Sequence, residues 1–436
     1  MRLRLVLHPA VLLLVPVLAS AVAWSVPGAS TALRGFEHRS EVTLGGLGVL
    51  GLWYALCAGL IVLGHRWGAA VPRVPVLARF DDDPVLERRL FRLVWVLAAV
   101  GVGYSLARAA ASVDVVAALA GGTGNDLKAA LGGEAGPATL RYATAVAAPL
   151  GIHLWRRGLV GPAEAAWSVL LLGVDALFAS RLAVLMAVVV FAFLHVARRP
   201  GARVRWSALA VAAVVVFAAL TLLNSLRNEN YYTAHGVDSP LVANGYQLLT
   251  YLGAPFQVSL GVADSVATGR YPDRYGAAHA AQLWEPTFLL GPDATEQTTD
   301  TEAVRHEQGE AFTFSTASKP RAGERYASTV DVGDTLTTNS AFADVLSDYG
   351  YVGLLGLALS TAVVGALLGH LGRYRSVLAA ACGVVGYGVA ELWRTYLFSQ
   401  GIVVFLLVAV LGGAVVLSLL RVRSPAPPAP LERTPG

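Results

Sequence analysis

Ten apolar runs, parted by connections that alternate between arginine-rich and arginine-poor, leave this 436-residue chain few ways to fold. The runs lie near 5–26, 42–64, 93–112, 138–155, 163–179, 182–197, 206–224, 351–372, 376–393 and 400–420. Most are close to the roughly 17–25 residues with which an α-helix crosses a hydrocarbon core. Backbone groups in lipid must be satisfied within their own segment, so such runs become helices. Composition agrees: 14% of the chain is charged, against roughly a quarter in soluble domains. The expectation is an all-α polytopic membrane protein of about ten transmembrane helices, with one large extracytoplasmic loop late in the chain.

The arginines orient it. Basic residues collect in short cytoplasmic connections. Here they cluster at Arg2 and Arg4, from Arg66 to Arg92, at Arg156 and Arg157, from Arg198 to Arg205, at Arg373 and Arg375, and at Arg421 and Arg423. Ten spans then place both termini in the cytoplasm. The expected organisation is a bundle of about seven spans over 1–224, an extracytoplasmic loop over 225–350, closing spans over 351–420 and a disordered Pro-rich tail over 421–436. Within the loop, 240–263 is broken by Gly253 and Pro255 and reads as a re-entrant or interfacial element. Residues 225–350 hold 7 basic and 16 acidic residues against a net of +4 for the whole chain. The basic excess is therefore an orientation signal and not a nucleic-acid footprint. Ala19-Ser20-Ala21 resembles a signal-peptidase site, but the run around it is long for a signal peptide and reads as a span.

Several arginines fall on the side that this orientation leaves poor in positive charge: Arg181, Arg227, Arg394, and Arg108 and Arg141 at the span ends. An ionisable group at a membrane-buried edge is costly and points to function, and guanidinium suits phosphate oxygens. Snorkelling to the interface explains Arg108 and Arg141. Two acidic motifs are set aside. Asp81-Asp82-Asp83 contains a D-x-D pattern, but Asp83 before Pro84 reads as a helix cap. His306, Glu307 and Glu310 lack the second histidine of a zinc-protease helix. No metal and no cofactor is expected, and Cys57 and Cys382 make no disulfide framework.

The segment Thr337 to Gly356, "TTNSAFADVLSDYGYVGLLG", reads as a helix capped by Asn339 and joined to a span through a glycine hinge. With it the chain resembles the bacterial O-antigen and oligosaccharide repeat-unit polymerases (Wzy-like), relatives of the O-antigen ligases. The matching positions are Asn339, Asp348, Gly350 and Gly353; "ASRLAVL" and the late large loop add to the likeness. The ligases often carry a histidine just before the Asn; this chain has Thr338, which favours the polymerases.

The resemblance implies transfer of a glycan from a polyprenyl (undecaprenyl) diphosphate carrier to a lipid-linked acceptor glycan at the outer face, without nucleotide sugar or metal. Its partners would be lipid-linked donor and acceptor oligosaccharides, the bilayer and envelope polysaccharide-assembly proteins. Arg181, Arg227 and Arg394 would hold the diphosphate, with Arg227 nearest the reacting centre. A base must take the acceptor proton; Asp348 and His235 are chosen among Asp344, Asp238 and Glu391. Asn339, Tyr231 and Tyr232 would contact substrate, and Tyr246, Tyr251 and Trp284 are further aromatics able to stack on sugars. The alternatives are an O-antigen-ligase-like transferase and a non-enzymatic transporter or flippase of lipid-linked glycans.

Overall fold

The computed structural model describes residues 3–26, 33, 35–120, 137–178, 181–203, 206–270, 326, 329–333, 336, 338–399 and 401–422. All regular elements among them are helices. The longer ones, in chain order, are α1 (Pro9–Ser25), α2 (Leu44–Ala70), α3 (Pro84–Ser112), α4 (Thr144–Trp155), α5 (Pro162–Phe178), α6 (Arg181–Arg198), α7 (Trp206–Ala234), α8 (Pro240–Ala267), α9 (Ala341–Leu371) and α10 (Ala379–Ala390). The last, α11, begins at Gly401–Leu407, passes through a π-turn at Val408–Gly412 and ends as Gly413–Val422. Among the described residues four helices are long and apolar enough to cross a membrane: α2, α3, the Gly350–Leu371 part of α9, and α11. With the shorter apolar helices beside them they make an all-helical, membrane-embedded protein.

The ten expected spans are not ten helices of equal length. Span four is a 12-residue helix, α4, preceded by a 3-10 segment Pro137–Ala143; span nine is the 12-residue α10. At 1.5 Å per residue each is only about 18 Å long. Nearly every residue of α4 and α10 is buried, so they are central pillars wrapped by the longer helices.

One end of the bundle is braced by ion pairs. Glu87, in the first turn of α3, is buried and accepts from Arg157 after α4 and from Arg198 at the end of α6 (2.8 Å). Asp83 caps α3 through the Val85 and Leu86 amides and pairs with Arg421. Asp81 accepts from Arg73 and from the Arg375 amide. The aspartates of the D-x-D pattern are thus taken up in capping and bracing, as the cap reading of Asp83 expected.

Close packing of α2 on α9 comes from glycine. The two run parallel: Thr361 donates to Cys57 O, and a Cβ on Gly365 or Gly369 would strike the backbone of Ile61 or His65. A Cβ on Gly64 or Gly68 would strike the Ala362 or Ala366 carbonyl. Two small-xxx-small faces therefore meet, the device by which apolar helices gain contact without a hydrophobic driving force.

Helix α8 revises the reading of 240–263. The segment is one continuous 28-residue helix, and Gly253 does not break it but admits the backbone of Ala23 and Trp24. Helix α7 likewise runs on to Ala234, so the stretch expected to be loop from 225 opens with helix; 271–325 lie outside the described residues. Throughout its length α8 meets the connection between α1 and α2: Leu33 with Ala243 and Thr250, His38 O with Gln257, Thr43 with Asp264. It also bonds Ser20 and Trp24 at the end of α1. Helix α8 therefore lies across the ends of α1 and α2 that are opposite the arginine brace.

Gln257 fastens this layer. Its Oε1 accepts from Trp24 Nε1 (2.7 Å) and the Ser40 amide (3.0 Å), and its Nε2 donates to His38 O (2.8 Å) and Asp331 O (3.0 Å). Every hydrogen-bonding position of this fully buried amide that two lone pairs and two protons offer is filled.

The hinge expected after the Asn339 segment is present. Gly350 has φ +61° and ψ −155° and divides α9 into two helices; a residue with a Cβ is strained there. The cap differs by one position: Ser340, not Asn339, accepts from the Ala343 amide, while Asn339 is buried beside it.

Candidate functional site

The short helices end part-way up the bundle, and charged residues stand at their ends. Helix α10 finishes at Glu391, whose Oε2 accepts from Arg394 Nε (2.9 Å) and Nη2 (2.8 Å). Glu391 Oε1 accepts from Tyr387 Oη (2.6 Å). Tyr251, from α8 above, brings its hydroxyl within 3.4 Å of Glu391 and its ring within 4.5 Å of the Arg394 guanidinium. Arg394 Nη1 enters neither contact, and the side chain keeps 18% exposure.

A second charged pair stands between α3, α4 and α5. Arg141 packs on Gly101 of α3, with Nε 3.5 Å from Asp175 Oδ1. Thr144 donates to Asp175 Oδ2 (2.9 Å), and Arg141 lies 5.0 Å from the Tyr142 ring centroid. Both members are buried. Arg141 is therefore not a snorkelling interface residue, because its partner Asp175 lies inside the bundle. Asp175 was missed in the sequence; a lone carboxylate in "LLLGVDALF" is itself a signal, but only the fold shows its partner.

The height of these pairs departs from expectation. Gly101, which carries Arg141, is 14 residues from Glu87 along α3, about 21 Å up a helix about 43 Å long. Arg181, the first residue of α6, is 17 residues, about 26 Å, above Arg198 at the brace. Glu391 is 8 residues, about 12 Å, beyond the Gly383 contact with Val190 of α6, on the side toward Arg181. The charges thus form a layer near half-height rather than at the rim, because α4, α5, α6 and α10 are short. Lying among helix ends, this layer is where irregular backbone at membrane depth is tolerated, against protein or a wet cavity.

The other expected residues sort around α8. Tyr231, Tyr232 and His235 come together at the end of α7, with Tyr231 and Tyr232 packed edge to face (5.2 Å). His235 Nδ1 lies 2.7 Å from Tyr231 O; a carbonyl only accepts, so that nitrogen carries the proton and Nε2 is left as the basic one. A shallow recess opens here, lined by Asn224, Glu229, Tyr232, Asp238 and neighbours. Arg227 is one turn from both Asn224 and Tyr231 on α7, but its side chain, like those of Arg181 and Asp348, lies outside the described residues. Asp344 accepts from Tyr326 (2.6 Å), and Ser340, next to Asn339, bonds Ser259 of α8 (2.6 Å). Ala243, Tyr251 and Ser259 of α8 thus reach the Tyr232 recess, the Glu391–Arg394 pair and the Asn339 segment in turn, at intervals of about 12 Å. The three groups share one scaffold helix without merging into a single contact cluster. No group of three or more His, Cys, Asp or Glu suited to a metal is present among the described residues.

No family model, no curated protein and no solved structure matches this chain.

Proposed function

We propose that the protein is a membrane glycosyltransferase that joins lipid-linked oligosaccharide repeat units, taking the glycan from a polyprenyl diphosphate carrier. The observation that carries this reading is the Glu391–Arg394 pair under α8. A guanidinium fixed on one edge by a carboxylate, and stacked on Tyr251, keeps Nη1 for a ligand. In the transfer the sugar C1–O bond to the diphosphate breaks and a C1–O bond to an acceptor hydroxyl forms. The hydroxyl proton passes to a base, and negative charge gathers on the departing diphosphate. A preorganised cation in a water-poor layer stabilises that charge where it develops. Arg181 and Arg227 are the further cations of this proposal, Asn339, Tyr231 and Tyr232 its sugar contacts, and His235 Nε2 or Asp348 its base. The ten-span topology, with the brace and both termini cytoplasmic, belongs to the same reading.

The test is glycan chain length in cells lacking the native gene and complemented with wild type, Arg394→Gln or Arg394→Lys, with membrane levels measured in parallel. Single repeat units on the carrier at normal protein level are expected for Arg394→Gln. Long glycan in the deletion strain itself would sink the proposal.

The half-height charge layer favours a second reading, a transporter of lipid-linked glycans, whose charges would line a path through the bundle. The two separate by leaflet: loss of a polymerase leaves single units exposed outside, and loss of a transporter leaves them inside.

A further inference from the structure

The brace has a counterpart in the sequence. The end of α4 reads His153-Leu154-Trp155-Arg156-Arg157, and the end of α6 reads His195-Val196-Ala197-Arg198-Arg199. Both follow one pattern, a histidine and then arginines three and four residues on. The two helices pack side by side and finish at the same end of the bundle. A helix C-terminus attracts a cation, and membrane orientation needs basic residues only somewhere in the connection. Neither calls for the same triplet twice where two helices meet.

Glu87 of α3 joins the two copies. One of its oxygens takes Arg157 Nη1 and the other takes Arg198 Nη2 (2.8 Å). The Glu87 side chain is 1% exposed, while the two guanidinium side chains keep 25% and 32% exposure. Two arginines on one carboxylate leave one positive charge over, and their remaining nitrogens enter no other hydrogen bond among the described residues. Arg156 and Arg199, both exposed, add two more cations and enter no ion pair among the described residues. Behind this ring lies His153, 8% exposed, with Nε2 buried and without a hydrogen-bond partner. Its titratable neighbours are Arg157, Arg198, His195 and Arg156.

A cationic rim whose acid is already consumed calls for an anion, and its depth says which kind. Trp155, next to Arg156, and Trp206, at the start of α7, are 49% and 66% exposed, as tryptophans at the level of lipid headgroups are. We propose that the paired His-x-x-Arg-Arg ends form a binding site for the phosphodiester of an anionic membrane lipid. The free edges of Arg157 and Arg198 take its oxygens, as guanidinium does with phosphate. Arg156 and Arg199 flank it, with His153 Nε2 the uncommitted nitrogen behind them. The single charge of a phosphodiester balances the one that Glu87 leaves over. The site is separate from the Glu391–Arg394 pair and independent of the reaction proposed there.

The experiment is native mass spectrometry of the full chain with dioleoylphosphatidylglycerol, dioleoylphosphatidylcholine or inorganic phosphate added in detergent, beside the Tm of each mixture. The expected result is one phosphatidylglycerol retained per chain with a raised Tm, and neither effect from phosphatidylcholine or phosphate. Arg198→Lys keeps a cation for Glu87 but has no second edge. Its retention of phosphatidylglycerol should fall about tenfold, the loss of one charge-assisted bond. Arg156→Gln combined with Arg199→Gln leaves the brace whole, so it reads the site without a folding defect, and it should also weaken retention. Arg66→Gln removes an exposed arginine of α2 at the same end and should change nothing. Equal retention of phosphatidylcholine, no loss in either site variant, or an equal loss in Arg66→Gln overturns the proposal. Equal stabilisation by inorganic phosphate overturns the lipid as the source of the anion.

Discussion

Gln257 shows how much one side chain can hold. Four partners from three segments meet on its buried amide. Gln257→Leu keeps the volume but strands two donors and two acceptors, each worth about 1–3 kcal/mol when buried unpaired. The expected outcome is a clear fall in detergent-solubilised Tm and faster proteolysis near Asp331, with α2–α9 packing intact; unchanged proteolysis would show that the amide is not the fastener. Glu391 poses a similar question at the site. Glu391→Gln removes the counter-charge of Arg394 while keeping a hydrogen-bond acceptor, so glycan polymerisation should fall by more than the membrane level does. Removing one member of a buried pair is costly mainly because the other charge is left alone. Equal loss of activity and of protein level would reduce the pair to a structural role. At this scale the sequence showed Arg394 and Glu391 as separate candidates. Their pairing was not legible, since i,i+3 neighbours past the end of a helix meet only if the chain turns there.

Among elements, the contact between α2 and α9 gives the sharpest contrast. Gly64, Gly68, Gly365 and Gly369 face backbone, while Gly48, Gly59 and Gly356 have open space where a Cβ would go. Gly365→Leu should abolish accumulation in the membrane, because the backbone it would strike cannot yield as a side chain does. Gly356→Leu and Gly59→Leu should accumulate normally, and immunoblots of isolated membranes would tell. Glycines at intervals of four were visible in the sequence of both runs, but not that the two runs meet in parallel. Helix existence was legible because an apolar run in lipid has one backbone solution. The unity of α8 was not. Gly253 and Pro255 signalled a break, yet a glycine also lets another backbone approach, and here Trp24 takes that place.

For the whole molecule, the arginine pattern and the brace make a common prediction. Cysteine at exposed Arg88, beside the brace, should react with a membrane-impermeant maleimide only after permeabilisation; cysteine at exposed Glu41, beside α8, should react in intact cells. The reverse pattern would invert the topology. The brace also bears on shape. Helices α5 and α6 have 17 and 18 residues, about 26 Å each, and both carry lipid-exposed side chains such as Trp167 and Val188. A typical hydrocarbon core is about 30 Å thick. Lipids against this hairpin must therefore shorten, and the membrane dimples inward around it. The bilayer is thus thinnest beside the charge layer, and acyl-chain length in the host membrane sets how far that layer lies from the headgroups.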